Sequence, residues 1–225
     1  MDGGFCDYLA VPEANLMAVD DLSVDHAAMV EFLAIGAHGL RRAGPREGDR
    51  VLVVGAGPIG MAAMVFAHLR GGRVTVVDLR ADRLAFCRER LGAEATVAAG
   101  PGVEEELRRI TEGDFYDLVI EATGHGGSME RSLGYVAHGG TYLLLGIVLG
   151  TIALADPELH KKEVTLAASR NATREDFDTV LAAIRSGQVP MDALATHRAP
   201  LEEVPEQFPH WLKPNAGVVK ALIEI

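Results

Sequence analysis

The stretch from Val51 to Asp78 leaves the chain few ways to fold. It opens with an apolar, largely β-branched run, Val51-Leu52-Val53-Val54, and turns through Gly55-Ala56-Gly57-Pro58-Ile59-Gly60. An Ala- and Met-rich segment follows, broken at Gly71-Gly72, and a second apolar run closes on Asp78. This is a strand, a tight turn, a helix and a second strand, with an acid at the end of the second strand. Each residue type has a physical task there. Gly55 permits the turn off the strand, Gly57 lets backbone approach a pyrophosphate, and Gly60 lets the helix pack closely. Pro58 suits a first helical turn, where its missing amide costs nothing. The free amides and the positive end of the helix dipole then face a diphosphate. Asp78 can accept hydrogen bonds from both adenosine ribose hydroxyls, and its charge repels a 2′-phosphate. NAD is therefore favoured over NADP, a preference that Arg80 and Arg83 soften. The alternative is a Gly-rich turn in another α/β protein, with Asp78 capping the next helix.

The rest of the composition agrees with a buried parallel sheet. Of 225 residues, 48% are hydrophobic but only 5% aromatic, so the core is built from Ala, Val, Leu and Ile. The length suits one large domain, or one domain with part of another. A net charge of −11 argues against nucleic acid and anionic membrane as partners. No run approaches the about 18 apolar residues of a membrane span. The start shows no basic region followed by an apolar one, so no signal peptide is expected. Cys6 and Cys87 form no CxxC pair and read as reduced thiols, which suits a cytoplasmic protein.

Taken in order, residues 1–24 read as irregular to extended, with Phe5, Tyr8, Leu9 and Val11 lining one or two short strands that end at Pro12, and another strand at Asn15–Val19. Residues 25–43 read as a helix stopped by Gly44-Pro45. Strands are expected at 94–99, 116–124, 141–145 and 164–168, and helices at 81–91, 103–111 and 128–136. With the first two strands this makes a six-stranded, doubly wound parallel sheet in order 3-2-1-4-5-6. Thr173-Arg174-Glu175-Asp176 resembles a capping box that opens a helix running to Ser186. A Pro-punctuated segment follows, and residues 217–225 read as a strand. The expected organisation is 1–43, a connecting helix with what precedes it; 44–171, the nucleotide-binding domain; and 172–225, a returning C-terminal segment.

Several phrases resemble the zinc-containing medium-chain alcohol dehydrogenases, above all their sorbitol, threonine and sugar-acid dehydrogenase branch. They are Gly3-Gly4-Phe5-Cys6-Asp7-Tyr8, residues 30–38 (VEFLAIGAH), the GAGPIG loop, and Val77-Asp78 with Arg83 five residues on. Further along come Glu121-Ala122-Thr123-Gly124, Ser169-Arg170-Asn171, the stretch from Thr196 to Glu206, and the ending Gly217-Val218-Val219-Lys220. The resemblance implies a Rossmann fold with remnants of a GroES-like β-rich catalytic domain, and oxidation of a secondary alcohol of a polyol or sugar acid. It implies that Gly55, Gly57, Pro58, Ile59, Gly60, Asp78 and Arg83 hold the adenosine and phosphate half of NAD. Gly146, Ile147, Ser169 and Arg170 approach the nicotinamide half, Thr123 is a further cofactor-binding position, and Lys220 lies near the pyrophosphate. Glu31 falls where the family carries a catalytic-zinc ligand or a nearby acid, although Phe32 stands where Pro is common. His38 reads as a helix residue near the cleft rather than a second ligand.

The resemblance also has a large gap. Family members carry a long β-rich domain before the equivalent of Gly3, which supplies a cysteine and a histidine ligand and usually a four-cysteine zinc lobe. The expectation is a chain cut off within its catalytic domain, with Met1 at an interior position of the pattern. Glu31 alone cannot hold zinc, which takes about three protein ligands, so zinc is doubtful in this chain. The alternative function is a catalytically incomplete NAD(H)-binding module. Self-association through the sheet edge, as a homodimer or homotetramer, is expected.

Overall fold

Val51–Val54 form a strand because both faces of that run are buried, and the strands on either side of it repeat the pattern. In the computed structural model, which describes residues 4–225, β1 (Arg50–Val54), β2 (Arg73–Asp78), β3 (Ala95–Ala98), β4 (Tyr116–Glu121), β5 (Val136–Leu144) and β6 (Thr165–Ala168) form one sheet. Its order is β3-β2-β1-β4-β5-β6, and every pair is parallel. This is the doubly wound order expected from the sequence. The crossovers are α2 (Pro58–Leu69), α3 (Ala81–Arg90), α4 (Val103–Ile110), α5 (Gly126–Ser132) and α6 (Asp156–Lys162). Helix α2 buries every residue from Gly60 to Ala67, as a helix covering the middle of a sheet must. The core is aliphatic, with Tyr116 and Tyr142 its largest fully buried side chains.

Two units divide the described residues: Glu31–Val189, which contains the sheet, and the residues up to Val30 together with Pro190–Ile225. The long helix α1 (Val24–Ala43) crosses the boundary between them in sequence. The second unit holds α8 (Met191–Leu194), β7 (Ala195–Pro200), α9 (Val204–Trp211) and β8 (Lys220–Glu224). β7 and β8 pair in parallel as a two-stranded sheet. Met1, Asp2 and Gly3, which include the start of the Gly3–Tyr8 phrase, lie outside the described residues.

Two local expectations are corrected, and one helix is added. Residues 4–23 form no strand; Glu13–Asn15 make a single 3₁₀ turn, and Phe5, Tyr8, Leu9, Val11 and Leu16 are exposed. A strand needs a partner for its backbone amides and carbonyls, and among the described residues no strand pairs with this segment. The helix expected at 128–136 ends at Ser132, and after a 3₁₀ turn at Leu133–Tyr135 the chain enters β5 at Val136. β5 then runs through Gly139, which adopts φ +72°, to Leu144, and its register against β4 shifts between Tyr116 and Leu118. Helix α6 was not anticipated; its signal is Pro157 in the first turn after Asp156, with His160, Lys161 and Lys162 in the last.

The start of α7 (Arg174–Arg185) is tied to α1 by a buried cluster. Asp176, only 1% exposed, accepts hydrogen bonds from Arg41 Nε at 2.7 Å, Thr173 N at 2.8 Å and Thr173 Oγ1 at 2.7 Å. His38 Nδ1 lies 2.8 Å from Asp176 Oδ2, so that ring nitrogen is committed to the carboxylate as donor. Burial works to raise the Asp176 pKa, but the hydrogen bonds from Arg41 and Thr173 and the nearby His38 outweigh it and hold the carboxyl well below the usual range. The folded value is depressed, so this stability is complete above the unfolded value of about 3.9 and is lost as pH falls below it.

Asp176→Ala is expected to destabilise the chain by about 3 kcal/mol, because it strands Arg41 and His38 beside a vanished partner. Asp176→Asn should flatten the loss of stability below about pH 4. Urea unfolding at a series of pH values reads both effects.

Candidate functional site

The carboxyl ends of β1, β4 and β5 converge where the strand order reverses, the place at which open α/β sheets bind ligands. The first loop there is fixed by contact. Gly55 adopts φ +99°, and its amide donates to Val77 O at 2.8 Å. A Cβ on Gly60 would run into the carbonyl oxygen of Gly55, so only glycine lets α2 begin this close to β1. Gly57 is extended at φ −78°, ψ 176°, and a Cβ on it would meet nothing within 4 Å. The first helical bond is Met61 N to Gly57 O, at 2.9 Å, and Pro58 opens the helix. The amides of Ile59 and Gly60 precede that bond and have no carbonyl upstream within the helix. Pro58 and Ile59 are half-buried beside them.

Asp78 is part of this loop as well as its neighbour. Its Oδ2 accepts the Ala56 amide at 2.7 Å and its Oδ1 the Arg80 amide at 2.8 Å. The Ala56 amide is therefore spent inside the protein and does not join the free amides expected to face a phosphate. An ionised carboxylate has about four acceptor positions, so two remain. Arg80 makes a two-pronged pair with Asp82, at 3.1 and 2.5 Å, which turns it away from the role of a phosphate ligand. Arg83 is half-buried, and desolvation, helped by the nearby Arg80, lowers its pKa against the charges of Asp82 and Asp78. Burial, reinforced by the Asp78 charge, pushes the nearby Cys87 thiol up to about 12. Cys6, by contrast, is exposed.

Beyond the reversal, β4 ends at Glu121, and its loop carries Thr123 and Gly124, both exposed. β5 leads into Gly146, where a Cβ would come within 2.5 Å of the Gly124 amide nitrogen. β6 leads into Ser169, whose amide donates to Leu144 O at 3.1 Å. Met129, Leu144, Gly146, Ile147, Ser169 and Arg170 line a cavity of about 400 Å³, walled mostly by apolar atoms. Ile147 and Arg170 are exposed at its mouth. The Ser169 hydroxyl is buried without a hydrogen-bond partner among the described residues, which leaves it for a ligand. A larger cavity, of about 650 Å³, opens at the amino ends of the strands beside Arg50, Asp117 and Val136. Charges of both signs line it, and it is remote from the reversal point.

The structure brings together Gly55, Gly57, Pro58, Ile59, Gly60 and Asp78 in one loop, and Gly146, Ile147, Ser169 and Arg170 around one cavity. Lys220 begins β8 in the second unit, where it pairs in register with Ala195. Glu31 is exposed on α1. Among the described residues no group of three or more His, Cys, Asp or Glu side chains is placed to hold a metal ion. The donor set therefore does not fit a zinc site of about three protein ligands. His38 is engaged with Asp176. The sequence reading passed over Glu121 as a functional residue. Its signal was an acid at the end of an otherwise apolar strand, a position that is fully buried here.

Comparison with known proteins agrees with this geometry. Residues 58–186, more than half of the chain, match the zinc-binding dehydrogenase family. The chain is 37% identical over 222 residues to L-galactonate-5-dehydrogenase of Escherichia coli K12, covering 99% of this chain and 65% of that protein. It is 34% identical over 215 residues to sorbitol dehydrogenase of Pongo abelii, covering 92% of this chain and 59% of that one. The chain thus spans about three fifths to two thirds of the length of these relatives. A short chain alcohol dehydrogenase of Escherichia coli CFT073, solved in complex with NADH, has the same fold, with a TM-score of 0.91 at 24% identity. That match covers 100% of this chain and 66% of the other.

Gly60→Ala is expected to cost about 1–3 kcal/mol by driving α2 off the Gly55 carbonyl, read by urea unfolding. A thiol reagent at neutral pH should modify Cys6 rapidly in the folded chain and Cys87 only after denaturation.

Proposed function

This chain belongs to the zinc-binding dehydrogenases, and from that premise we propose that it carries the cofactor site of an NAD-dependent oxidoreductase acting on a secondary alcohol of a polyol or sugar acid. The observation that carries the NAD assignment is Asp78, which keeps two acceptor positions free beside a loop with open space at Gly57. Those positions suit the two hydroxyls of an adenosine ribose, and the carboxylate repels a 2′-phosphate. The substrate class rests on the sugar-acid and polyol dehydrogenases among the relatives.

In this reading Gly55, Gly57, Pro58, Ile59 and Gly60 cradle the diphosphate, with the Ile59 and Gly60 amides donating to it. Arg83 borders the adenosine. Thr123, Gly146, Ile147, Ser169 and Arg170 receive the nicotinamide half, and the Ser169 hydroxyl supplies a hydrogen bond to it. The nicotinamide, when bound, supplies the hydride acceptor. The apolar walls of the cavity exclude water from the reacting face. Lys220 is assigned to the pyrophosphate by the same family pattern. Glu31 borders the substrate position without holding zinc by itself, and no step is derived through a metal. The second unit, the residues up to Val30 together with Pro190–Ile225, contributes to the substrate-binding domain. The protein is cytoplasmic and self-associates as a homodimer or homotetramer along the β6 edge, where Leu166 is exposed. Among the described residues no helix is long and apolar enough to cross a membrane.

The absence of a three-ligand metal group among the described residues favours a second reading, an NAD(H)-binding module without turnover. Zinc content and turnover of a polyol or sugar acid separate the two.

Calorimetric titration with NADH and NADPH is the direct test. Micromolar binding that prefers NADH by at least about tenfold is expected, and Asp78→Asn should shrink that preference by removing the charge that repels the 2′-phosphate. Equal affinity for both nucleotides, or binding of neither, overturns the assignment.

A further inference from the structure

Glu121 ends β4 as a fully buried carboxylate. Both of its oxygens are turned onto one residue. Oε2 accepts the Thr123 amide at 3.2 Å, and Oε1 accepts the Thr123 hydroxyl at 2.5 Å. The Glu121 carbonyl accepts the amides of Leu145 and Gly146, each at 2.9 Å, so the same residue ties the β4 and β5 ends together. Thr123 in turn abuts the first loop, since a Cβ on Gly55 would lie 3.0 Å from both the Thr123 methyl and its amide nitrogen.

A threonine hydroxyl has one proton and two lone pairs. The Thr123 proton goes to Glu121, and one lone pair accepts the His125 amide at 3.0 Å. One lone pair is left, on an exposed residue at the reversal point of the sheet. Thr123 can therefore accept one more hydrogen bond but cannot give one.

We propose that Glu121 is a positioning residue that fixes the hydrogen-bond sense of Thr123, so that the β4 loop offers an acceptor to the nicotinamide half of the cofactor. The group it takes is a donor: a hydroxyl of the nicotinamide ribose or the carboxamide N–H. The inference rests on the NAD reading above. It adds that the hydroxyl acts through a buried acid the ligand never touches.

Glu121→Gln tests this directly. The single amide oxygen is needed by the Thr123 amide, so the new NH₂ faces the Thr123 hydroxyl and donates to it. The hydroxyl proton loses its acceptor and turns outward. NADH affinity should fall about tenfold, the loss of one hydrogen bond. Affinity for AMP, which fills only the Asp78 side, should stay within about twofold of the wild type. Thr123→Val should lose NADH affinity about tenfold, and Thr123→Ser should keep it. The Glu121→Gln/Thr123→Val double variant should bind NADH no more weakly than Thr123→Val alone, because one residue acts through the other.

Undiminished NADH binding by Glu121→Gln overturns the proposal, as does a loss shared equally by AMP, which marks a merely structural role. Multiplying losses in the double variant also overturn it. If thermal melts show that Glu121→Gln does not fold, the threonine pair decides: Thr123→Val binding like the wild type sinks the idea. A wild-type chain that binds AMP and NADH not at all refutes the NAD reading itself, and this inference with it.

Discussion

The close approach of Gly60 to the Gly55 carbonyl sets the geometry of the whole carboxyl-terminal edge. It fixes where α2 begins, and so which amides remain unspent at its start. Gly55, held by its bond to Val77 O, packs against Thr123, and Gly124 packs against Gly146. Three strand ends are thereby locked by contacts that admit no side chain. A crevice built this way is narrow at its base and cannot widen without breaking packing that is close to crystal density. Asp78 adds the lateral stitch, one oxygen to the Ala56 amide and the other to Arg80. Its remaining acceptor positions are presented by a rigid support, which is what the proposed discrimination between NADH and NADPH needs.

Buried polar groups show how the rest of the unit is held. Asp176 and Glu121 are both carboxylates out of contact with water, and both are surrounded by donors. They differ in what the donors are. Asp176 gathers Arg41, His38 and Thr173 from two helices, so it works as a clamp across sequence positions more than 130 apart. Glu121 gathers donors from the residue two positions on, so it shapes a loop. Ser169 differs from both, buried at a cavity wall with its hydroxyl unspent among the described residues. A buried hydroxyl without a partner costs roughly 1–3 kcal/mol, and a ligand that bonds it recovers that cost.

The sheet was legible because its signals are local and repeated: apolar runs of strand length, glycine breaks, and helices between them. The order β3-β2-β1-β4-β5-β6 follows from right-handed crossovers once those elements are known. Residues 4–23 misled because Phe5, Tyr8, Leu9 and Val11 have strand composition, and composition does not say whether a partner strand is there. The segment around Tyr135-Val136 misled for the opposite reason: helical spacing continued past Ser132, but burial of Val136 beside Tyr116 drew it into the sheet. The Thr173–Asp176 cap was visible in the sequence, whereas the Arg41 and His38 side of the same cluster depends on tertiary contact and was not. Glu121 could be quoted as part of a phrase, but its role depends on which way a hydroxyl proton points, which no spacing encodes.

The two units also differ in how they are held. The sheet unit buries an aliphatic core on both faces of its central strands, β2, β1 and β4. The other rests on a two-stranded parallel ladder, an arrangement that is marginal without further packing. Polar links reinforce it: Thr196 bridges to Val219 and Lys220, and Arg198 pairs with Asp25 and Glu224. Val219 and Leu222 are buried, but Phe208, Leu212 and Ile225 are exposed, together with Tyr8 and Leu9. Surface ion pairs of this kind contribute about 0–1 kcal/mol each, far less than an aliphatic core. Local opening should therefore begin in this unit while the six-stranded sheet stays closed. That order of stability separates the unit proposed to bind the nucleotide, which carries its own core, from the unit proposed to contribute to the substrate domain.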